Sequence, residues 1–574
     1  MNFSYILHLI LVFAFATTAL AQVPAQQQAS GQEALRQQQE QDKKLRETLQ
    51  QPKAQGTVVE QPVVETQEPE AADTTKVLIN TITVSGNAIL SQDEITKVTT
   101  PFEGKELSVR DMQKVADLVT DVYRKKGFIT TRAILPPQQV TNNTLELNIV
   151  QGLMGNLEVK GNRYFKKSLF TKRVSLKKGE PFNYDKLRND LNAINQFPDR
   201  NVKTVITPGQ EPGQTDVVFD VKDRLPIHVG FSYDNFASKY IGKNRYTGTV
   251  TDNNLLGFDD ILTFQYQTAE MNAFRLTSLR YLAPVSKNTE VGFFVAQNQI
   301  ELQEEFQDLQ ARGKSKLYSA FVNQTLLNEQ NLKVVANAGF DYKDVFNYQL
   351  GVESSRDRLR VVKTGINVDY ADQFNGRNIF NNEIAFGIPN IMGGMRDVDP
   401  RSSRAQSGSG ALFTKDIVDL LRLQRMPFDS SLLLKSQFQF SGNVLPATEQ
   451  FQLGGITNIR GFAPGEAVGD NGQSFTTELS LPLYMVPKSI PIPFSKAKLY
   501  DAVRFSGFYD WGSVQLRNPQ AGEFKSRFID SLGCGLRVNL PEDFFLRVDF
   551  AWGLNGTPSD GKDEHTWMQI TKEF

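Results

Sequence analysis

The chain has 574 residues, more than one core usually serves, and Lys+Arg 63 against Asp+Glu 64 leave a net charge of -1, which gives no electrostatic reason to expect nucleic acid as a partner. One cysteine, Cys534, excludes an intrachain disulfide and a multi-thiolate metal site, and the scattered His8, His228 and His565 argue against histidine-rich catalysis. Mean hydropathy is -0.36 although Phe 40 and Tyr 16 are abundant, so apolar residues are expected to alternate with polar ones. Residues 1–21 run apolar from Tyr5 to Ala16 and end in Ala19-Leu20-Ala21, the layout of a secretory signal peptide, although no Lys or Arg precedes the run. That run is shorter than the ~20 residues a membrane helix needs, and no later segment is uniformly apolar over ~18 residues, so any span of the mature chain is expected to be β. Residues 22–50 form a polar leader without aromatics, in which Ser30-Gly31-Gln32-Glu33 caps a helix over about 31–50. Its leucines, Leu35, Leu45 and Leu49, are too sparse for a buried stripe, so the helix suits water or a wet cavity. Residues 51–75, with Pro52, Pro62 and Pro69, read as a linker.

A duplication follows. Ile82-Thr83-Val84-Ser85-Gly86-Asn87 recurs as Leu157-Glu158-Val159-Lys160-Gly161-Asn162, an offset of 75 positions. At the same offset Met112 maps to Leu187 and Val119 to Ile194, each in an amphipathic helical run. The first run, with Val115 and Val122, starts after Ser108 and stops at Gly127; the second, with Leu191, stops at Pro198. Each unit ends in alternating strands, Leu145 to Ile149 and Val217 to Val221. Two α+β modules are expected, over 76–151 and 152–224, with sheet edges that favour peptide capture by strand addition.

From residue 225 to 574 the period becomes two. Leu262 to Gln267, Leu532 to Leu540 and Leu546 to Trp552 set an apolar row against Gln, Arg, Asn or Asp, and the last strand, Thr566 to Phe574, stops on an aromatic. Together with the export signal this is the pattern of a transmembrane β-barrel whose apolar residues face lipid and whose polar residues face the lumen; about sixteen antiparallel strands are expected, enough to enclose water. Cys534 then faces lipid as an inert small group.

One connection, over about 443–473, is long enough to suggest a function. In it Gly454-Gly455 permit a tight reversal, Arg460 carries a permanent charge with five donors, and Gly461 allows close approach to a wall. On the strand from Val503 the parity turns Arg504, Ser506, Phe508, Asp510 and Gly512 inward, so a loop folded back into the lumen can pair Arg460 with Asp510. At ~4 Å and an effective dielectric near 20 such a pair gains on the order of 4 kcal/mol of Coulomb energy before desolvation.

These residues resemble a family. Ile459-Arg460-Gly461-Phe462 is similar to the VRGF/Y tip of an inward-folded sixth loop, and Phe508-x-Asp510-x-Gly512 to its partner on the barrel wall, in the superfamily that includes the BAM assembly barrel. The run from Phe451 to Gly469-Asp470-Asn471-Gly472 resembles the two-partner secretion transporters, the TpsB family of haemolysin and filamentous-haemagglutinin exporters. Tyr123 to Phe128, Leu135-Pro136-Pro137-Gln138, Asn254-Leu255-Leu256-Gly257 with Asp260, and Arg36 to Glu40 add to the likeness. The resemblance implies that the modules are periplasmic POTRA domains, that the helix at about 31–50 plugs the pore, and that the barrel lies in the outer membrane of a Gram-negative bacterium. It implies a large secreted exoprotein, received unfolded through its N-terminal secretion domain, with outer-membrane lipid and the barrel assembly machinery as further partners of a monomer. No catalytic residue, metal site or cofactor is expected: Gly242-Lys243 is followed by Asn244, which is no nucleotide loop, and there is no Gly-x-Ser-x-Gly elbow. An assembly factor that inserts other barrels, and a passive porin, are the alternatives.

Overall fold

The computed structural model describes Val59–Glu60 and residues 76–574 apart from Ala88, Gln330, Phe494 and Glu542; the expected signal peptide, the helix at about 31–50 and most of the linker lie outside the described residues. Strand β1 (Val59–Glu60) belongs to the linker. The first module contains β2 (Val77–Ile79), β3 (Thr81–Ser85), α1 (Gln92–Thr99), β4 (Lys105–Leu107), α2 (Val109–Lys125), β5 (Arg132–Ile134) and β6 (Thr144–Val150). The second contains β7 (Leu153–Lys160), α3 (Lys167–Thr171), α4 (Tyr184–Asn195), β8 (Arg200–Pro208) and β9 (Gln214–Asp223).

The duplicated hexapeptide is β3 in one module and β7 in the other, each parallel to the last strand of its own sheet. Its closing asparagine does the same task twice: Asn87 Nδ2 donates to the Leu90 carbonyl at 2.8 Å, and Asn162 Nδ2 to the Phe165 carbonyl at 2.8 Å. Asn87 does more, because its Oδ1 accepts from the amides of Ile89 and Leu90 and from the hydroxyl of buried Tyr123 on α2 at 2.6 Å. Ser108 caps α2 by accepting from the Asp111 amide, and Met112, Val115 and Val119 bury its apolar stripe. Asn183 joins the modules: its Oδ1 caps α4 through the Lys186 amide, and its Nδ2 donates to the Lys126 carbonyl at the end of α2.

The linker is not wholly irregular. Val59 and Glu60 pair in parallel with Val205 and Ile206 of β8, giving the sheet order β1-β8-β9-β7. The β8 edge of the second module, a module expected to offer a sheet edge, is therefore covered by the chain itself, at a Val-Val-Glu stretch whose β-branched residues suit a strand.

The remainder is a closed barrel of sixteen antiparallel strands. Its first half is β10 (Ile227–Asp234), β11 (Arg245–Asp252), β12 (Ile261–Ala269), β13 (Phe274–Pro284), β14 (Thr289–Glu301), β15 (Arg312–Asn328), β16 (Leu332–Gln349) and β17 (Val352–Ala371). Then come β18 (Gly376–Gly387), β19 (Phe413–Arg425) and β20 (Ser431–Ser441), the short β21 (Phe451–Leu453) and β22 (Ala467–Gly469) inside a long loop, β23 (Asn471–Pro482), β24 (Val503–Gln515), β25 (Ser526–Leu540), β26 (Phe544–Asn555) and β27 (Glu564–Glu573). Strand β23 begins at Asn471, ahead of the apolar alternation, because Gly472 and Gln473 already pair with Val514 and Ser513.

Parity sorts the two faces. On β24 Phe505 and Tyr509 are exposed outside while Phe508 and Asp510 are buried inside, and Cys534 shares the outer face of β25 with exposed Leu532. Phe438, Phe475, Trp511 and Phe528 form a continuous outer aromatic row across β20, β23, β24 and β25, with centroids 5.2, 4.3 and 6.1 Å apart. Such a row is the girdle of a membrane barrel.

Replacing Asn87 by Ala should destabilise the first module by on the order of 2 kcal/mol, since it orphans the buried Tyr123 hydroxyl, whereas Asn162→Ala should cost about 1 kcal/mol in the second. Urea midpoints of the two modules, followed separately by hydrogen exchange, check the difference; equal losses would refute the added role of Asn87.

Candidate functional site

The connection 442–470 between β20 and β23 turns into the barrel instead of projecting from it. Phe451, Leu453, Ile459, Phe462 and Ala467 of the loop form a buried cluster with Val514 and Ile529 of the wall. Gly454 and Gly455, at φ 105° and 83°, turn the chain beyond β21. Gly461 then touches the wall: a Cβ there would lie 2.6 Å from the Ser531 Cβ and 2.7 Å from the Gly553 amide nitrogen. The β25–β26 ladder shifts register beside this contact, between Asp530 and Ser531, which face Asn555 and Gly553.

Arg460 is 2 % exposed and lies in a cage that satisfies its whole fork. Its Nε and Nη2 donate to the two oxygens of Asp510 at 2.8 and 2.9 Å, and its Nη1 donates to Glu478 at 2.6 Å and, more distantly, to Asp549 at 3.5 Å. The guanidinium stacks on the Phe508 ring, 3.2 Å from its centroid, and the Arg460 carbonyl accepts from the Trp567 indole at 2.7 Å. The second row completes the electrostatics. Arg537 pairs with both Glu478 and Asp549, and Arg547 donates to Asp549 at 2.6 Å. Three guanidiniums thus face three carboxylates, a neutral network that meets the condition for burying charges at all.

The structure accordingly brings together every site residue expected from the sequence: Ile459, Arg460, Gly461 and Phe462 meet the wall where Phe508 and Asp510 point inward, and Gly512 leaves room for Leu453. Glu478, Asp549, Arg537, Arg547 and Trp567 escaped sequence reasoning. Their inward parity was readable, but their convergence depends on cross-strand register, such as Glu478 opposite Phe508, which one strand at a time does not reveal.

Further ion pairs hold the loop elsewhere. Glu449 at its base accepts from Lys343 of β16 at 2.9 Å and is ion-paired with Lys415 of β19 at 2.7 Å, and although burial alone would raise its carboxyl, the two ammoniums hold it at about 2. Asp470 at the other base accepts from Arg404 at 2.7 Å and from the amides of Leu445 and Arg517. Glu466 pairs with Arg527 at 2.5 Å and accepts from Ser559. Among the described residues no group of three or more His, Cys, Asp or Glu could hold a metal ion.

Comparisons with known proteins give the chain its relatives. The family model "Haemolysin secretion/activation protein ShlB/FhaC/HecB" matches residues 213–538, a ShlB-type POTRA model matches 77–152, and the model "Surface antigen variable number repeat" matches 154–224. The chain is 22% identical over 492 residues to the heme/hemopexin transporter protein HuxB of Haemophilus influenzae, covering 84% of each. It is similarly 22% identical over 442 residues to the outer membrane transporter CdiB of Escherichia coli, covering 74% of this chain and 73% of that one. The solved structure of Escherichia coli CdiB superposes with a TM-score of 0.69 at 20% identity, covering 95% of this chain and 99% of that one.

Replacing Arg460 by Lys keeps the charge but loses the fork and the stack on Phe508, and should loosen the docked tip by on the order of 2 kcal/mol. Trypsin cleavage at the loop, in barrels that still migrate as folded, reads this. The Glu449 anchor has the opposite kind of robustness. A carboxyl held at about 2 contributes stability that is fully present above its ordinary 4.5 and is lost only as pH falls toward 2, so acidifying from neutral to 4.5 should leave the loop base as protected as before.

Proposed function

The chain belongs to the haemolysin secretion/activation (ShlB/FhaC/HecB) family of two-partner secretion transporters of the outer membrane, and on that premise we propose that its POTRA domains receive an unfolded exoprotein, which the barrel then conducts to the cell surface without nucleotide hydrolysis. The exoprotein docks by its N-terminal secretion domain, adding a strand to an exposed sheet edge; the edge of β8 becomes available when the linker strand β1 leaves it. Passage requires the lumen to clear, so the helix expected at about 31–50 withdraws and the inward loop shifts. Folding of the exoprotein outside the cell supplies direction.

The observation that carries this reading is the Arg460 cage. A loop held in a water-lined lumen by a neutral, fully paired network is a reversible obstruction: every partner that releases Arg460 can be satisfied by water in an opened pore. A passive porin has no use for a latch of this kind; an assembly barrel shares the motif, and against that reading stand the two POTRA units and the secretion-family match.

Deleting residues 76–224 should abolish secretion of the exoprotein while the barrel still assembles; normal secretion from a truncated, folded barrel would refute the receiving role. Arg460→Ala should impair secretion more than assembly, because it leaves Asp510 without its main partner but keeps all sixteen strands paired. A variant that secretes normally would strip the loop of its function, and depletion that removes many barrels at once would favour the assembly-factor reading.

A further inference from the structure

Residues 161–179 of the second POTRA domain contain Arg163, Lys166, Lys167, Lys172, Arg173, Lys177 and Lys178 and no acidic residue. The fold splits this run. Lys177 and Lys178 lie with the start of β7, where the Gly179 amide donates to the Met154 carbonyl and Lys178 to Asn156. Arg163 to Phe165 lie at the opposite end, because the carboxylate of Asp223, the last residue of β9, accepts all three amides of Arg163, Tyr164 and Phe165 at 2.9 to 3.0 Å. That end is where the chain leaves for the barrel: only residues 224–226 separate Asp223 from Ile227, the exposed first residue of β10, so covalent reach keeps the two within ~14 Å.

Most acidic groups at this end are already engaged, and the exposed Asp220, beside Gly161 and opposite Lys160 on the sheet, leaves the cations in excess. Asp223 is occupied by the three amides, Asp199 accepts from Arg224 at 2.6 Å, and Glu158 pairs with Lys160 at 3.0 Å. Arg163, Lys166, Lys167 and Lys172 are exposed, and among the described residues no carboxylate pairs with the three lysines. Tyr164, beneath the Arg163 guanidinium, is 39% exposed and Leu225 51% exposed, so cationic and apolar groups stand side by side.

We propose that this surface binds the anionic phospholipid headgroups of the periplasmic leaflet, holding the second POTRA domain against the membrane in which its barrel sits. The mixture of lysines with an exposed tyrosine and leucine is that of an interfacial segment, and its tether delivers it to the leaflet. An acidic peptide is the less favoured occupant: the surface consists of a turn and the short α3, and the edge strand β7 ends at Lys160 before it. The inference rests on the family's outer-membrane placement and not on the secretion mechanism, so secretion is not its readout.

The test uses the full chain in nanodiscs, with Cys534→Ser and a donor fluorophore at Ser168→Cys, against an acceptor on the lipid headgroups. Energy transfer should be higher in discs containing phosphatidylglycerol than in discs of phosphatidylcholine alone, and should fall as salt rises. Reversal of Lys166, Lys167 and Lys172 to Glu should abolish the difference, each charge removed weakening surface association on the order of fivefold. Equal transfer in both lipids, or a difference that survives the reversal in protein of unchanged circular dichroism, overturns the proposal. Transfer that is insensitive to lipid but changes when an acidic peptide is added also overturns it, in favour of a peptide dock.

Discussion

A guanidinium buried at the centre of a water-wide barrel is the constraint on which the rest of this structure turns. Arg460 cannot be removed from its site without leaving Asp510, Glu478 and Asp549 facing only Arg537 and Arg547, one positive charge short. Desolvating an ion costs several kcal/mol, and the neutral set of three pairs is what makes the desolvation tolerable. The wall strands therefore carry carboxylates that are correct only when the loop is in place. The loop in turn is ordered by partners that it does not itself contain.

This dependence sets the geometry of the wall. Glu478, Asp510 and Asp549 come from β23, β24 and β26, and Trp567 from β27, so the tip is gripped by strands near the closing end of the barrel. The register shift of β25 on β26 and the lack of side chains at Gly461 and Gly553 bring loop and wall to van der Waals distance, where a hydrogen bond to a carbonyl can be made by an indole from the next strand. On the outer face of the same strands the aromatic row fixes the height of the barrel in lipid. One side of this sheet is thus specified by charge balance and the other by the membrane interface.

How much of this the sequence discloses depends on whether a relation is local. Asp510 was legible because a strand period of two places it inside with Phe508 and Gly512, and Arg460 because a long loop with two adjacent glycines is conspicuous. The duplication was legible because an identical task, closing a turn with Asn87 or Asn162, retains a shared Val-x-Gly-Asn. The partners Glu478, Asp549 and Glu449 were not, since each meets its counterion across strands whose register is decided by the whole ladder. The pairing of Val59 with Val205 was hidden for a different reason: two residues are too few for any periodicity.

The loop's anchors also differ in kind, and the difference bears on how it moves. Glu449 is held by two ammoniums, compact point charges on flexible stems that follow a carboxylate through changes of angle. Arg460 is held by a planar fork read in two directions and by a ring against its face, an arrangement that tolerates little rotation. Small displacements therefore cost more at Arg460 than at Glu449. A rotation of the wall strands that the ammoniums at Glu449 can follow thus strains the planar contacts of Arg460.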